Sequence, residues 1–291
     1  MNDSLILGVE VGRSYLASAL VDVLKGEIIE GSYIKIATEQ GHSTNQLISN
    51  CCKVINRSLK QNDTRKLKIG LAIPNLLNIA SRVPSREENN RNENLLSNNV
   101  RETLSKKLNI SSDDIFMMND VAAFLKGEVF NGASPEFQFK KVIGLMIGKR
   151  FGAAVYNNGA IENIDCWNNG SLIGVNEECF STDWFIKRHH ELTGVWIKDL
   201  KEISSFNKAT VASRQLYNEF SINLSVLLNK LIKIHNPDAI VLGGMISNAF
   251  QTFFPELRRE MNKLENYNKV FKAKLKDKAG ILGAASSFVA Q

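Results

Sequence analysis

Residues 5–21 read LILGVEVGRSYLASALV, and this stretch decides the fold. Two apolar runs flank the polar residues Gly12-Arg13-Ser14, here called the first bend, and this pattern predicts a β-hairpin. Residues 142–155 repeat the plan as VIGLMIGKRFGAAV, with a second bend at Gly148-Lys149-Arg150. Such a repeat predicts two domains built on one plan and facing each other across a cleft.

The composition is that of a globular protein. Of 291 residues, 44% are hydrophobic and 23% are charged, which excludes disordered and fibrous classes. The net charge of +6 is spread among 30 acidic residues, so it does not indicate nucleic-acid binding. No apolar run approaches the ~20 residues that span a bilayer, and no secretion signal precedes the first strand. The four cysteines form no CxxC pair and predict reduced thiols. We therefore expect a cytoplasmic protein that binds neither membrane nor nucleic acid directly.

Strand and helix patterns alternate along the chain and predict the α/β class, with mixed sheets flanked by helices. Strand patterns cover 5–36 (three strands), 67–73, 114–118 and 239–242. Helical patterns cover 44–59, 100–108, 121–129, 216–232 and 279–289, whereas the asparagine-rich residues 81–99 predict an irregular surface excursion. We divide the chain into domains of residues 1–117 and 118–278, and we expect a terminal helix over 279–291 to pack on the first domain.

Short motifs in a fixed order resemble those of the ROK family, the sugar kinases and related repressors of the actin-like ATPase superfamily. They are Gly8–Gly12, Gly70–Pro74, Asn119–Asp120 with Gly127–Glu128, Gly144–Val155, Asn236–Gly244 and Gly283–Ala285. The resemblance covers nearly the whole chain. It implies a two-domain actin-like ATPase (ribonuclease H-like) fold, a homodimer, and ATP-dependent phosphorylation of a hexose or N-acetylhexosamine.

The resemblance implies a sugar site around Asn119 and Asp120. Asp120 corresponds to the base that takes a proton from a sugar hydroxyl, and the Asn119 amide would hold a neighbouring hydroxyl. Pro74 and Asn75 correspond to the start of a sugar-contact loop. The alternative for Asn119 and Asp120 is a helix cap, because both residue types cap helices well.

The resemblance also implies a site for Mg-ATP. Glu10 stands where the family has an aspartate that approaches Mg²⁺; its alternative is a solvated or edge-strand carboxylate. Gly12 and Gly148 belong to the two phosphate bends. Gly243 and Gly244 would let adenine or ribose approach the backbone, or they form an ordinary strand-to-helix turn.

The bends depart from the family pattern. Arg13 and Ser14 stand where glycine and threonine are expected, and Lys149 and Arg150 replace threonine and glycine. A Cβ at a position that needs positive φ costs roughly 1 kcal/mol or more. The long side chains would either fill the volume of the phosphates or assist phosphate binding through their charge.

The sugar side departs as well. The family's Glu-x-Gly-His element and zinc-binding cysteine loop are absent between residues 160 and 185, where Cys166 and Cys179 stand apart. We therefore expect no zinc. Glu177 and Glu178 are both open candidates for the family's sugar-binding glutamate.

Two hypotheses follow from these patterns. The first is an active glucokinase-like kinase with divergent bends and Asp120 as the base. The second, which the combined departures favour, is a homologue of impaired or lost activity that keeps a sugar or sugar-phosphate site for regulation. A DNA-binding repressor of the family is disfavoured, because the first strand begins near residue 5 and leaves no room for a helix-turn-helix domain.

Overall fold

A computed structural model describes residues 4–12, 14–38, 44–59, 67–74, 100–132, 139–167, 177–200, 202, 210–263 and 269–288. The chain divides into two compact units, one of Met1–Pro135 with Asp277–Gln291 and the other of Glu136–Lys276. Arg13, Asn75 and the predicted excursion over 81–99 lie outside the described residues. Within the described ranges, no helix is long and apolar enough to cross a membrane.

The first unit contains a mixed sheet in the order β3-β2-β1-β5-β6, with β4 also paired to β2. Its strands are β1 Leu5–Val11, β2 Tyr15–Asp22, β3 Glu27–Ile28, β4 Ile34–Ala37, β5 Ile69–Ile73 and β6 Ile115–Asn119. β1 and β2 form the predicted antiparallel hairpin, and β1, β5 and β6 run parallel. The segment 5–36 forms four strands rather than three, because the long β2 pairs with β3 near its end and with β4 near its start.

The helices described in the first unit are α1 Thr44–Leu59, α2 over 100–108, α3 Asp120–Asn131 and, last in the chain, α7 Ala279–Ala285. The small residues of α7 let its backbone approach the sheet and α3 closely. A Cβ on Gly8 would collide with the carbonyl oxygen of Ile281, and one on Gly283 with that of Ala123. These contacts place α3 in the first unit. The predicted boundary between 117 and 118 differs from this division, because the local sequence of α3 does not reveal its distant partner α7.

The second unit contains a five-stranded mixed sheet in the order β11-β10-β7-β8-β9. Its elements are β7 Lys141–Ile147, β8 Phe151–Asn157, β9 Ala160–Ile164, α4 Thr182–Thr193, α5 Val211–His235, β10 Ala239–Gly243, α6 Phe250–Lys263 and β11 Lys269–Lys272. The predicted helix over 216–232 is confirmed and is longer at both ends. Thr210 caps its start, and Asn236, with a left-handed φ of 44°, ends it before Pro237.

Candidate functional site

The first bend lies between β1 and β2 and is covered by an aromatic ring. The Gly12 N–H donates to the Tyr15 carbonyl oxygen at 2.9 Å, which closes the hairpin. A Cβ on Gly12 would lie 2.6 Å from both Cδ1 and Cζ of Tyr15, so the ring rests directly on the glycine. Only a residue without a side chain fits beneath this ring.

Glu10 lies beneath the same ring with 8% of its surface exposed. The Tyr15 hydroxyl donates to its Oε1 at 2.6 Å, whereas its Oε2 is buried with no hydrogen-bond partner among the described residues. The pKa of Glu10 is raised to about 7, chiefly by burial. The Tyr15 hydrogen bond opposes this rise, and the charge of Asp120 contributes to it. Burial and the neighbouring Glu10 raise the pKa of Tyr15, so its hydroxyl keeps the proton that it donates.

The backbone of α7 closes the other side of Glu10. A Cβ on Gly280 would lie 2.7 Å from both Cδ and Oε2 of Glu10. Glycine at 280 therefore leaves the space that the carboxyl group fills.

Lys35 lies over the ring of Tyr15, and its ion-pair partner Asp277 also accepts from Tyr33. Lys35 Nζ lies 4.3 Å from the ring centroid and 3.1 Å from Asp277 Oδ2. The Tyr33 hydroxyl donates to the same carboxylate oxygen at 3.1 Å. Burial alone would raise the pKa of Asp277, but the hydrogen bond and charge of Lys35 lower it overall. Glu10, Tyr15, Lys35, Asp277 and Tyr33 are here called the Tyr15 network.

Asn119 and Asp120 lie where β6 runs into α3, as the strand pattern predicted. Asn119 is the N-cap of α3, and its Oδ1 accepts from the Val121 N–H at 2.9 Å. Asp120 Oδ1 accepts from the same N–H at 2.9 Å, and its side chain is half-buried. The capping role is thus present for Asn119. Pro74 follows the end of β5.

The second bend is open, in contrast to the first. The Gly148 N–H donates to the Arg150 carbonyl oxygen at 3.2 Å, and its own carbonyl accepts from the Thr182 N–H at 2.8 Å. A Cβ on Gly148 would have its nearest neighbours 4.0 Å away. Lys149 and Arg150 are exposed.

The strain expected at the bends is absent at the described positions. The residues with positive φ include neither Gly12 nor Ser14 in the first bend, nor any residue of the second bend. The expectation of a backbone cost at Arg150, which stands where the family has glycine, was wrong, because this residue does not have a positive φ. Lys149 and Arg150 are accommodated at the surface, and Arg13 lies outside the described residues.

The second bend has acidic neighbours. Burial raises the pKa of Glu177, and the charge of Asp165 adds to this, while the charge of Arg150 opposes it. Arg150 therefore acts electrostatically on Glu177. Glu178 is exposed in the same short 3₁₀ turn, Glu177–Phe180.

Gly243 and Gly244 form a turn, and contacts with β7 explain its shape. Gly243 ends β10 and pairs with Met146 of β7. Gly244 has φ +80°, and a Cβ there would lie 2.7 Å from the backbone nitrogen of Ile147. Its carbonyl oxygen accepts from the Ser247 hydroxyl at 2.7 Å. The strand-to-helix interpretation thus accounts for Gly244.

Within the described ranges, no group of three or more histidine, cysteine or acidic side chains is placed to hold a metal ion. Cys166 is buried and Cys179 is half-buried, both as free thiols.

Sequence reasoning missed Tyr15, Lys35, Asp277 and Gly280. For Tyr15 a signal existed: across a three-residue bend, the first residue of the returning strand lies diagonally beside the residue five positions earlier. For Lys35 and Asp277 there was none, because 242 positions separate them.

Comparisons with known proteins agree with this architecture. A sequence model described as the ROK family matches residues 6–163 and 187–291. The ROK hexokinase of Thermus thermophilus is 17% identical, with a TM-score of 0.71 and 97% of each chain covered. The ROK family glucokinase of Streptomyces griseus, solved in complex with glucose and AMPPNP, is 16% identical, with a TM-score of 0.69; the match covers 97% of this chain and 98% of that one. A ROK family transcriptional regulator homologous to the E. coli MLC protein is 17% identical, with a TM-score of 0.71, and covers 98% of this chain and 78% of its own. At these identities the structural likeness shows a shared fold.

Proposed function

Because the chain belongs to the ROK family, we propose that it is a sugar-kinase homologue whose ATP-dependent phosphorylation of a hexose or N-acetylhexosamine is impaired or lost. It retains a site for a sugar or sugar phosphate, and this binding serves regulation. The proposal rests on the enclosure of the Glu10 carboxyl group by Tyr15 and Gly280.

Glu10 stands where the family resemblance places the carboxylate that approaches Mg²⁺. Mg²⁺ requires near-octahedral oxygen ligands at about 2.0–2.1 Å and usually keeps several waters. Here Oε1 is taken by the Tyr15 hydroxyl, and Oε2 is buried against Gly280. A carboxyl group that is enclosed in this way, with a pKa raised to about 7, does not fit the metal of Mg-ATP.

The sugar half of the site is better preserved. Asp120 is half-buried at the start of α3, next to the amide of Asn119. A carboxylate and an amide together accept from and donate to vicinal hydroxyl groups, which is the chemistry that a sugar ring offers. This pair supports retained sugar binding.

The alternative is an active glucokinase-like kinase. Asp120 would accept the proton of the sugar hydroxyl as the hydroxyl oxygen bonds to the γ-phosphorus of ATP and the bond from that phosphorus to the bridging oxygen breaks, so that ADP leaves. Gly243 and Gly244 would border the adenosine. In support of this alternative, the related glucokinase was solved with glucose and AMPPNP bound. Lys149 and Arg150 would then contact phosphate as exposed cations.

Thermal unfolding distinguishes the impaired homologue from the active kinase. We expect no change in Tm with millimolar Mg-ATP and a clear rise with at least one hexose, N-acetylhexosamine or their phosphates. A ligand at 100 times its Kd stabilises the folded state by about 2.7 kcal/mol. Sugar-dependent ADP release that disappears in Asp120→Asn, but persists in the exposed control Asp113→Asn, would instead establish the active kinase.

We also propose a cytoplasmic homodimer that does not bind nucleic acid directly. Light scattering after gel filtration measures the oligomeric state, and a single species at the monomer mass of 32.5 kDa contradicts the dimer. Binding to labelled duplex DNA at low salt, where electrostatic binding is strongest, tests the second point.

A further inference from the structure

The ring of Tyr15 lies on Gly12, the glycine at which the family resemblance places a phosphate group. Backbone N–H groups and glycine surfaces bind phosphates when no side chain lies in the way. At Gly12 the N–H is used by the hairpin, and the ring of Tyr15 rests on the α-carbon.

Contacts on separate sides fix this ring. Its hydroxyl is bonded to Glu10 at 2.6 Å, and its face carries the Lys35 ammonium at 4.3 Å. Lys35 is in turn held by Asp277 at 3.1 Å. The ring cannot turn away from Gly12 without breaking the hydrogen bond to Glu10.

We propose that Tyr15 excludes nucleoside triphosphates from the first bend, so that the sugar ligand is bound without a nucleotide. This inference rests on the proposed function and assigns its cause to one side chain. Tyr15 is thereby a specificity-determining residue that acts by occupying volume.

Calorimetric titration with Mg-AMPPNP tests the inference on the full chain. Tyr15→Thr removes the ring and keeps a β-branched residue at the start of β2, whereas Tyr15→Phe keeps the ring without the hydroxyl. Tyr33→Phe is the matched control, because Tyr33 touches Asp277 but neither Glu10 nor Gly12. We expect saturable binding for Tyr15→Thr only, at least tenfold tighter than any binding by the wild type, the control or Tyr15→Phe.

A folded Tyr15→Thr protein, judged by circular dichroism, that binds no nucleotide overturns the inference. If this variant does not fold, amide NMR spectra of the wild type decide: saturable shifts of the Gly12 and Ser14 signals with Mg-AMPPNP overturn the inference, and unchanged signals support it. The proposed function fails separately. It fails if wild-type protein phosphorylates a sugar or binds none of the sugars and sugar phosphates, whatever the Tyr15 variants do.

Discussion

The two bends have the same hairpin topology and opposite surroundings. Tyr15 follows the first bend and covers Gly12, whereas Phe151 follows the second bend and leaves Gly148 open. Phe151 instead packs on Trp167 and Phe180, with ring centroids 5.7 and 5.5 Å away. The polar end of the tyrosine explains the difference, because its hydroxyl requires a buried partner and Glu10 supplies one.

The residue two positions before each bend shows the same contrast. Glu10 pairs with Ala17 across the first hairpin, and Met146 pairs with Gly152 across the second. A carboxyl group on β1 requires a partner, whereas a thioether on β7 does not. The hairpin thus sets the position of a side chain, and the polarity of that side chain decides whether the bend is open.

The largest expected effect concerns the turn behind the second bend. Gly244→Ala should lower the free energy of unfolding by about 3 kcal/mol, because the added Cβ meets the Ile147 backbone and φ is positive. Gly194→Ala is the control: φ there is +72° with open space around it, so only the conformational cost of about 1 kcal/mol remains. Urea denaturation measures both. Equal losses would show that the Ile147 contact is unimportant.

The next effect is a pH dependence of the free energy of unfolding that arises from Glu10 in the first hairpin. The pKa of Glu10 is raised from 4.5 to about 7 in the folded protein, so between these values the folded state holds a proton that the unfolded chain has released. Wild-type stability therefore falls as pH rises through this window. At 1.36 kcal/mol per pKa unit, Glu10→Gln should gain about 3 kcal/mol relative to wild type between the two ends of the window.

Chemical denaturation at a series of pH values measures this gain. The exposed Glu27→Gln is the matched control and should run parallel to wild type. A gain for Glu10→Gln that does not change with pH would contradict the buried, protonated state of Glu10.

The third prediction compares the bends directly. Gly12→Ala should destabilise the protein by about 2 kcal/mol, because the new methyl group must displace the ring of Tyr15. Gly148→Ala should change stability by less than about 0.5 kcal/mol, since φ is not positive and the space is open. Thermal unfolding of the two variants measures both changes. Similar losses of stability would contradict the difference in packing between the two bends.

The smallest effect concerns the outer part of the Tyr15 network. Lys35→Ala should lower stability by about 0.5 kcal/mol, because its pair with Asp277 is partly exposed and screened by solvent. The loss should shrink at high salt. Lys25→Ala, which removes a longer ion pair with Asp22, is the control, and it should lower stability by less than Lys35→Ala does. A loss above about 2 kcal/mol would mean that Lys35 acts chiefly by holding the ring, not by its charge.

The sequence was sufficient to predict the architecture and insufficient to predict the state of the site. The α/β class and the two-domain actin-like ATPase fold are confirmed, because glycine hairpins and alternating elements leave a local mark in the sequence. The closure of Glu10 depends on Gly280 and Asp277, which come from the opposite end of the chain. Long-range contacts of this kind leave no periodic pattern.

The structure also changes which residues are expected to obstruct the nucleotide site. The sequence placed the obstacle in Arg13, Lys149 and Arg150, but the last two are exposed at an unstrained bend. The contacts of Glu10 with Tyr15 and Gly280 instead account for the proposed loss of nucleotide binding.

The contacts of α7 with β1 and α3 have a consequence for synthesis of the chain. The first 135 residues emerge early, but their closing helix follows the whole of residues 136–276. At about 5–20 residues per second, translation of that interval takes on the order of ten seconds. During this time α7 is not yet available to cover Gly8 of β1 and Gly70 of β5. The first unit can therefore complete its packing only after the second unit has been translated.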